Sequence, residues 1–115
     1  MSGRWEDPGV VRGFSTAAPN EVLLALVRTE LARKPRLRVL DLGCGAARNA
    51  APMAAEGATV IGIDAASPML DAARRRVADA GLATGSPSSA RRWTTCPCGT
   101  RASIWWSPTA DNHVR

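Results

Sequence analysis

A glycine turn flanked by acidic residues is the part of this 115-residue sequence best suited to chemistry. Asp41, Gly43 and Gly45 close one apolar run, and Asp64 closes a second apolar run 19 residues after Gly45. The glycines let a ligand approach the main chain closely. An acidic residue about 20 positions further on accepts hydrogen bonds from ribose hydroxyls in dinucleotide sites. The pattern therefore predicts a site for a nucleoside-containing cofactor, in which Asp41 orients the turn or binds a cationic amine.

The elements that position this turn follow from the spacing of the apolar residues. We predict a helix over residues 20–34 with Asn20 as its N-cap, a strand over 36–42, a helix over 46–56, a strand over 59–63, and a helix over 67–81 with Ser67 as its N-cap. Strands separated by one helix form a parallel sheet. The expected fold class is α/β, with the glycine turn at the end of the first strand.

The same pattern divides the chain into three segments. We predict an amino-terminal arm over residues 1–19, a cofactor-binding unit over residues 20–82 and an irregular tail over residues 83–115. Residues 1–82 carry 11 Arg and Lys against 9 Asp and Glu, whereas residues 83–115 carry 4 against 1. Most of the net charge of +5 therefore lies in the segment with the least pattern.

Composition and charge weigh against several classes of function. No run of about 18 apolar residues predicts a membrane span, and the first residues lack the features of a secretory signal. Three cysteines do not form a disulfide framework, which favours a reducing cytoplasm. The three arginines at 74–76 are the only basic cluster of the patterned part, and a solvated helix face is the simpler interpretation. We therefore expect neither nucleic-acid nor membrane binding, and the oligomeric state stays open.

Two segments resemble the first two sequence motifs of the class I S-adenosylmethionine-dependent methyltransferases. Residues 39–45, Val-Leu-Asp-Leu-Gly-Cys-Gly, resemble the first motif, and residues 60–64, Val-Ile-Gly-Ile-Asp, resemble the second. The continuation from Ser67 through Leu70 is also similar to that family. The resemblance covers about residues 35–82. It implies a Rossmann-like parallel sheet of the class I methyltransferase type, truncated to its amino-terminal half.

The resemblance also implies a cofactor and a role for each motif residue. Asp41, Gly43 and Gly45 would surround the methionine part of S-adenosylmethionine, Asp64 would hold the ribose hydroxyls, and Met69 would lie near the adenine. Cys44 is interpreted as a small packing residue of the motif and not as a nucleophile. The implied cofactor-binding set is Asp41, Gly43, Cys44, Gly45, Asp64 and Met69.

The implied reaction is methyl transfer to an unknown acceptor, more in keeping with a small molecule, by an incomplete domain. No catalytic residue is identified, because acceptor-side groups are expected mainly in the missing region or in the arm between Trp5 and Phe14. Cys96, Cys98 and His113 offer too few ligands at the wrong spacing for a structural zinc site, so no metal is expected.

Two alternatives remain open. A nicotinamide-dependent oxidoreductase fragment would use a similar turn, but Arg48 stands where its fingerprint requires a small third residue. Asp41 would also repel a pyrophosphate. A non-catalytic remnant of the methyltransferase, with exposed sheet edges, is the other alternative.

The tail lacks the strands that should follow in such a family. If each codon is begun at the third base of the codon as given, residues 92–107 become a sequence compatible with the missing Phe-Asp-Leu-Val strand. In that frame Trp93 before Thr94 requires Asp, and Trp105 before Trp106 requires Val. We therefore hypothesise that the chain is translated out of frame from a point between Leu82 and Arg92 onward.

Overall fold

The computed structural model describes residues 3–82 and the strand at residues 103–106. Its elements are a 3-10 helix Arg4–Glu6, α1 Pro8–Thr16, α2 Glu21–Arg33, β1 Arg38–Leu42, α3 Ala50–Ala55, β2 Thr59–Asp64, α4 Ser67–Asp79 and β3 Ser103–Trp106. Within this described part, no helix has the length and apolar character needed to cross a membrane.

Two parallel strands bring the two acidic strand ends to one edge of the sheet. β1 pairs with β2 in parallel, with Asp41 opposite Gly62 and Leu42 opposite Ile63. Both strands therefore end together, and α3 lies in the crossover between them. This pair confirms the predicted α/β arrangement.

β3 lies on the other side of β2 and runs antiparallel to it, with Ser103 opposite Asp64. The sequence predicted no regular element within residues 83–115, so this strand is an addition to the expected parallel sheet. Four residues are too few to display a strand period, and such a segment becomes a strand through its ladder with a neighbour.

The main core packs three helices against one face of the sheet. Val27 of α2 and Val77 of α4 belong to the same buried cluster as Val60 of β2. Side chains alternate between the two faces of a strand. On the opposite face of β1, Leu40 is 58% exposed and Leu42 is 71% exposed. The helices of the described residues therefore cover one face of β1 and leave the other accessible.

The helix boundaries confirm one predicted N-cap and correct another. The Asn20 side chain accepts a hydrogen bond from the Leu23 N–H at 3.2 Å, as a cap should. α4 instead includes Ser67 in its first turn, its N-cap position is Ala66, and no side chain caps it. Ser67 was therefore wrongly predicted as the cap.

α3 begins at Ala50, four residues later than predicted. The reason lies at Ala47, whose φ of +63° is in the left-handed region and cannot continue a right-handed helix. The residues before Ala50 form turns and extend the glycine turn toward the helix. The alanine-rich composition therefore predicted a helix over residues 46–49, where the backbone instead forms a turn.

The arm is an ordered helix docked on α4. The Asp7 carboxylate accepts hydrogen bonds from the N–H groups of Gly9 and Val10 at 2.9 and 3.0 Å and so caps α1. Val11 is buried in a second core cluster that includes Met69 of α4. The arm is thereby held beside the ends of β1 and β2.

Candidate functional site

One pocket of about 510 Å³ lies at the carboxyl ends of β1 and β2. Its volume is within the range of small-molecule sites. The structure brings all the residues of the predicted cofactor-binding set to its wall: Asp41, Gly43, Cys44, Gly45, Asp64 and Met69. The remaining wall is made by Trp5, Phe14, Arg48, Asn49, Ile63 and Ala65.

The glycine turn (residues 43–45) folds back onto the end of β2. Gly43 and Gly45 have φ angles of +71° and +54°, which side-chain-bearing residues rarely adopt. The N–H groups of Gly43 and Cys44 both donate to the Ile63 carbonyl oxygen, at 2.7 and 3.0 Å. The N–H groups of Gly43 and Cys44 are therefore already hydrogen-bonded within the protein.

Asp64 holds the turn in place. Its Oδ2 accepts a hydrogen bond from the Gly45 N–H at 2.8 Å, and its Oδ1 accepts one from the Ala66 N–H at 2.8 Å. The sequence suggested Asp41 for this orienting role, and the structure assigns it to Asp64. Each carboxylate oxygen has two lone pairs, so each oxygen of Asp64 can accept one further hydrogen bond.

Asp41 is half-buried beside Asp64 and contributes a second negative charge to the pocket. Burial raises the pKa of the Asp41 carboxyl, and repulsion from the Asp64 carboxylate raises it further, while Arg48 acts in the opposite direction. These surroundings therefore disfavour the ionised form of Asp41. A cationic ligand group beside it would stabilise the carboxylate.

Cys44 is buried in the turn, where its surroundings disfavour the thiolate. Burial raises the pKa of its thiol to about 12, with further contributions from Asp41 and Asp64. The thiolate is the reactive form of cysteine. The structure thus agrees with the interpretation of Cys44 as a packing residue.

This state of Cys44 predicts slow alkylation. At pH 8 the thiolate fraction of Cys44 should be about a thousandfold below that of a free cysteine with a pKa near 8.5. Iodoacetamide labelling of the folded chain, followed by peptide mass spectrometry, should find Cys44 unmodified until urea is added. Labelling of native Cys44 at the rate of a free thiol would contradict the prediction.

An aromatic pair from the arm faces the glycine turn across the pocket. The Trp5 and Phe14 rings meet edge to face with centroids 5.8 Å apart, and both line the pocket. From the sequence, the arm was expected only to contribute groups that contact the methyl acceptor. The pairing depends on how α1 docks, which the spacing of these two residues does not reveal.

No three His, Cys, Asp or Glu side chains cluster as a metal site within residues 3–82. The segment with Cys96, Cys98 and His113 lies outside the described residues. The polar and aromatic groups of the pocket wall are the Asp41 and Asp64 carboxylates, the Arg48 guanidinium, the Asn49 amide and the rings of Trp5 and Phe14.

Comparison with known proteins gives a consistent result. A family model for a methyltransferase domain matches residues 39–94. The ubiquinone biosynthesis O-methyltransferase of Sinorhizobium medicae is 36% identical over 94 residues, which covers 71% of this chain and 37% of that protein. The corresponding protein of Dinoroseobacter shibae is 52% identical over 46 residues, covering 40% of this chain and 18% of that protein. No solved structure matches the chain.

A nucleic-acid enzyme is also among the similar proteins. The 23S rRNA (uracil(1939)-C(5))-methyltransferase RlmD of Shewanella sediminis is 42% identical over 66 residues, which covers 57% of this chain and 15% of that protein. The chain thus spans between 15% and 37% of the length of these three relatives.

Proposed function

We propose that the pocket of this chain binds S-adenosylmethionine for methyl transfer. The proposal follows from the family, because the amino-terminal part of the chain belongs to the class I S-adenosylmethionine-dependent methyltransferases. S-Adenosylmethionine is the methyl donor of this family. The observation that carries the proposal is the convergence of two carboxylates, Asp41 and Asp64, on a pocket walled by the glycine turn.

The donor set of the pocket fits the two polar ends of this cofactor. We assign the ribose hydroxyls to Asp64, whose oxygens each keep one lone pair beyond the bonds to Gly45 and Ala66. We assign the cationic amino-acid end to Asp41, whose carboxylate is raised in pKa by burial and by Asp64. Met69, 2% exposed and part of the pocket wall, would contact the adenine ring.

The geometry argues against the nicotinamide alternative. A pyrophosphate site presents free backbone N–H groups to the phosphates. Here the N–H groups of Gly43 and Cys44 donate to Ile63, and that of Gly45 donates to Asp64. Two carboxylates in the same pocket would repel the phosphates as well. The turn is therefore suited to a cofactor without a pyrophosphate.

The chemistry of the bound cofactor is donation of a methyl group from a cationic sulfur to a nucleophile in an in-line displacement. For such a step the protein contributes mainly alignment of the two reactants. The chain's own part is to fix the cofactor between the glycine turn and the aromatic pair, which also limits access of water. We assign no general base among the described residues.

The acceptor we favour is a small molecule. The Trp5 and Phe14 rings provide an aromatic wall beside the carboxylates, which suits a flat or apolar acceptor. The O-methyltransferases of ubiquinone biosynthesis among the similar proteins support this assignment, and the rRNA methyltransferase makes RNA the competing class. Transfer of tritiated methyl groups to a catechol panel and to bulk rRNA would separate the two.

Calorimetric titration of the full chain with S-adenosylhomocysteine and with NAD tests the cofactor. We expect saturable binding of S-adenosylhomocysteine in the micromolar range and none of NAD. Tighter binding of NAD would overturn the proposal. A folded sample that binds neither would favour the non-catalytic remnant.

We also propose that the chain is translated out of frame from a point between Leu82 and Arg92 onward. Apart from β3, the segment beyond residue 82 lies outside the described residues. Sequencing the coding DNA tests the idea, because the shifted frame must encode further methyltransferase strands. An early stop codon in that frame would refute the proposed frameshift.

A further inference from the structure

Three consecutive arginines on α4 have different environments. Arg74 pairs with Asp71 at 2.8 Å on the surface, and Arg75 is exposed. Arg76 is half-buried. From the sequence, all three arginines were expected on one solvated helix face, so the half-buried position of Arg76 requires a separate explanation.

The Arg76 guanidinium binds the carboxyl end of α1. Its Nη1 donates to the carbonyl oxygens of Ser15 at 3.1 Å and Phe14 at 3.4 Å, and its Nη2 donates to that of Ala17 at 3.0 Å. Carbonyl groups at the end of a helix have no partner within the helix, and a cation there is favoured by the helix dipole. A planar guanidinium can serve several of them at once, which an ammonium group cannot match.

Arg76 continues the stripe of α4 that receives the arm. Met69, Ala72 and Arg76 recur at helical spacing, and the first two pack with Val11 of α1 in the second core cluster. The arm is therefore fixed to α4 by an apolar contact near its middle and by a hydrogen-bonded clamp at its end. Phe14, whose own carbonyl is clamped, belongs to the pocket wall.

We propose that Arg76 is a positioning residue for the cofactor pocket, because it fastens the end of α1 and thereby holds Phe14 and its partner Trp5 beside the glycine turn. The inference rests on the proposed function. Arg76 itself is not part of the pocket wall. Its hydrogen bonds to the end of α1 give it a route to the ligand through the arm.

Replacing Arg76 with glutamine should weaken binding of S-adenosylhomocysteine by about three- to tenfold, since the aromatic wall must then be ordered during binding. Arg75→Gln is the matched control on the exposed face and should bind as the wild type does. Arg76→Lys should recover part of the loss. An Arg76→Gln chain with the dissociation constant of the wild type would refute the proposal.

A double-mutant cycle separates positioning from a general loss of stability. In a Trp5→Ala, Phe14→Ala background, Arg76→Gln should add no further loss of affinity, because the groups through which it acts are gone. Fully additive losses would overturn the proposal. Melting temperatures of all variants identify any that fail to fold.

Limited trypsin digestion gives a readout that needs no ligand. Cleavage after Arg12, in the middle of α1, should accelerate in Arg76→Gln and not in Arg75→Gln, as measured by release of the amino-terminal peptide. Equal rates would show that Arg76 does not fasten the arm. If the wild type binds no S-adenosylhomocysteine, the proposed function fails and takes the binding role of Arg76 with it, while the cleavage rates still decide whether Arg76 holds α1.

Discussion

Replacing Asp64 with alanine is expected to weaken binding of S-adenosylhomocysteine by about 1–3 kcal/mol, roughly 5- to 150-fold in Kd. The ribose hydroxyls would lose a charged acceptor. The same change removes the acceptor of the Gly45 and Ala66 N–H groups, which hold the glycine turn. Both groups are only partly buried, so water can replace the carboxylate and the loss of stability should be about 1–2 kcal/mol. At about 4–8 °C for each kcal/mol in a small domain, the fall in melting temperature is measurable.

Two further variants make this result specific. Asp64→Asn retains one oxygen acceptor for the turn, so it should lose affinity while keeping more of the stability. Asp71→Ala removes a carboxylate of α4 that forms an exposed ion pair with Arg74 and should change neither quantity appreciably. Calorimetry and differential scanning fluorimetry on the three variants provide the measurements. Wild-type affinity in Asp64→Ala would remove Asp64 from the site.

Replacing Asp41 with asparagine should have effects of opposite sign on affinity and on stability. The pocket loses the carboxylate that we assign to the cationic end of the cofactor, so Kd should rise by about 10- to 100-fold. The free protein should become more stable at neutral pH, because a half-buried charge next to Asp64 is removed. A larger loss of affinity for S-adenosylmethionine than for its uncharged-sulfur product would place Asp41 near the sulfonium and not near the amine.

The stability gain should depend on pH in a defined direction. The pKa of Asp41 is raised in the folded state, mainly by burial, so the folded chain holds this proton more tightly than the unfolded chain does. Ionisation therefore costs stability as pH rises from about 4, the ordinary pKa of the unfolded carboxyl, through the raised value in the folded state. The difference in melting temperature between Asp41→Asn and wild type should be large at pH 7 and should shrink toward pH 4.

A control and a contrary result complete the test of Asp41. Asp71→Asn removes one exposed negative charge and should show neither the loss of affinity nor a pH-dependent gain. A fall in the melting temperature of Asp41→Asn at pH 7 would contradict the electrostatic description of the pocket. Unchanged affinity would contradict the assignment of Asp41 to the cofactor.

The positions of the glycine turn and of the strands could be predicted because their signals are local. The apolar run before Asp41 and the one before Asp64 became β1 and β2, and parallel pairing then requires the two acidic ends to meet. The start of α3 was predicted four residues too early, because alanine favours helix by composition while Ala47 adopts a positive φ here. Whether an alanine takes that conformation depends on the turn it completes and not on its own propensity.

The sequence by itself predicted the resemblance to the family, the order of α2, β1, α3, β2 and α4, and a set of six residues that share one pocket, because the motif residues follow strand ends at fixed spacing. Only the tertiary structure decided that Asp64, and not Asp41, holds the glycine turn, that the arm supplies an aromatic wall and that Arg76 fastens it. These contacts join residues between 19 and 62 positions apart. Such pairings arise when strands pair and helices dock on a shared core, and the spacing of residues along one element does not reveal which partners they will contact.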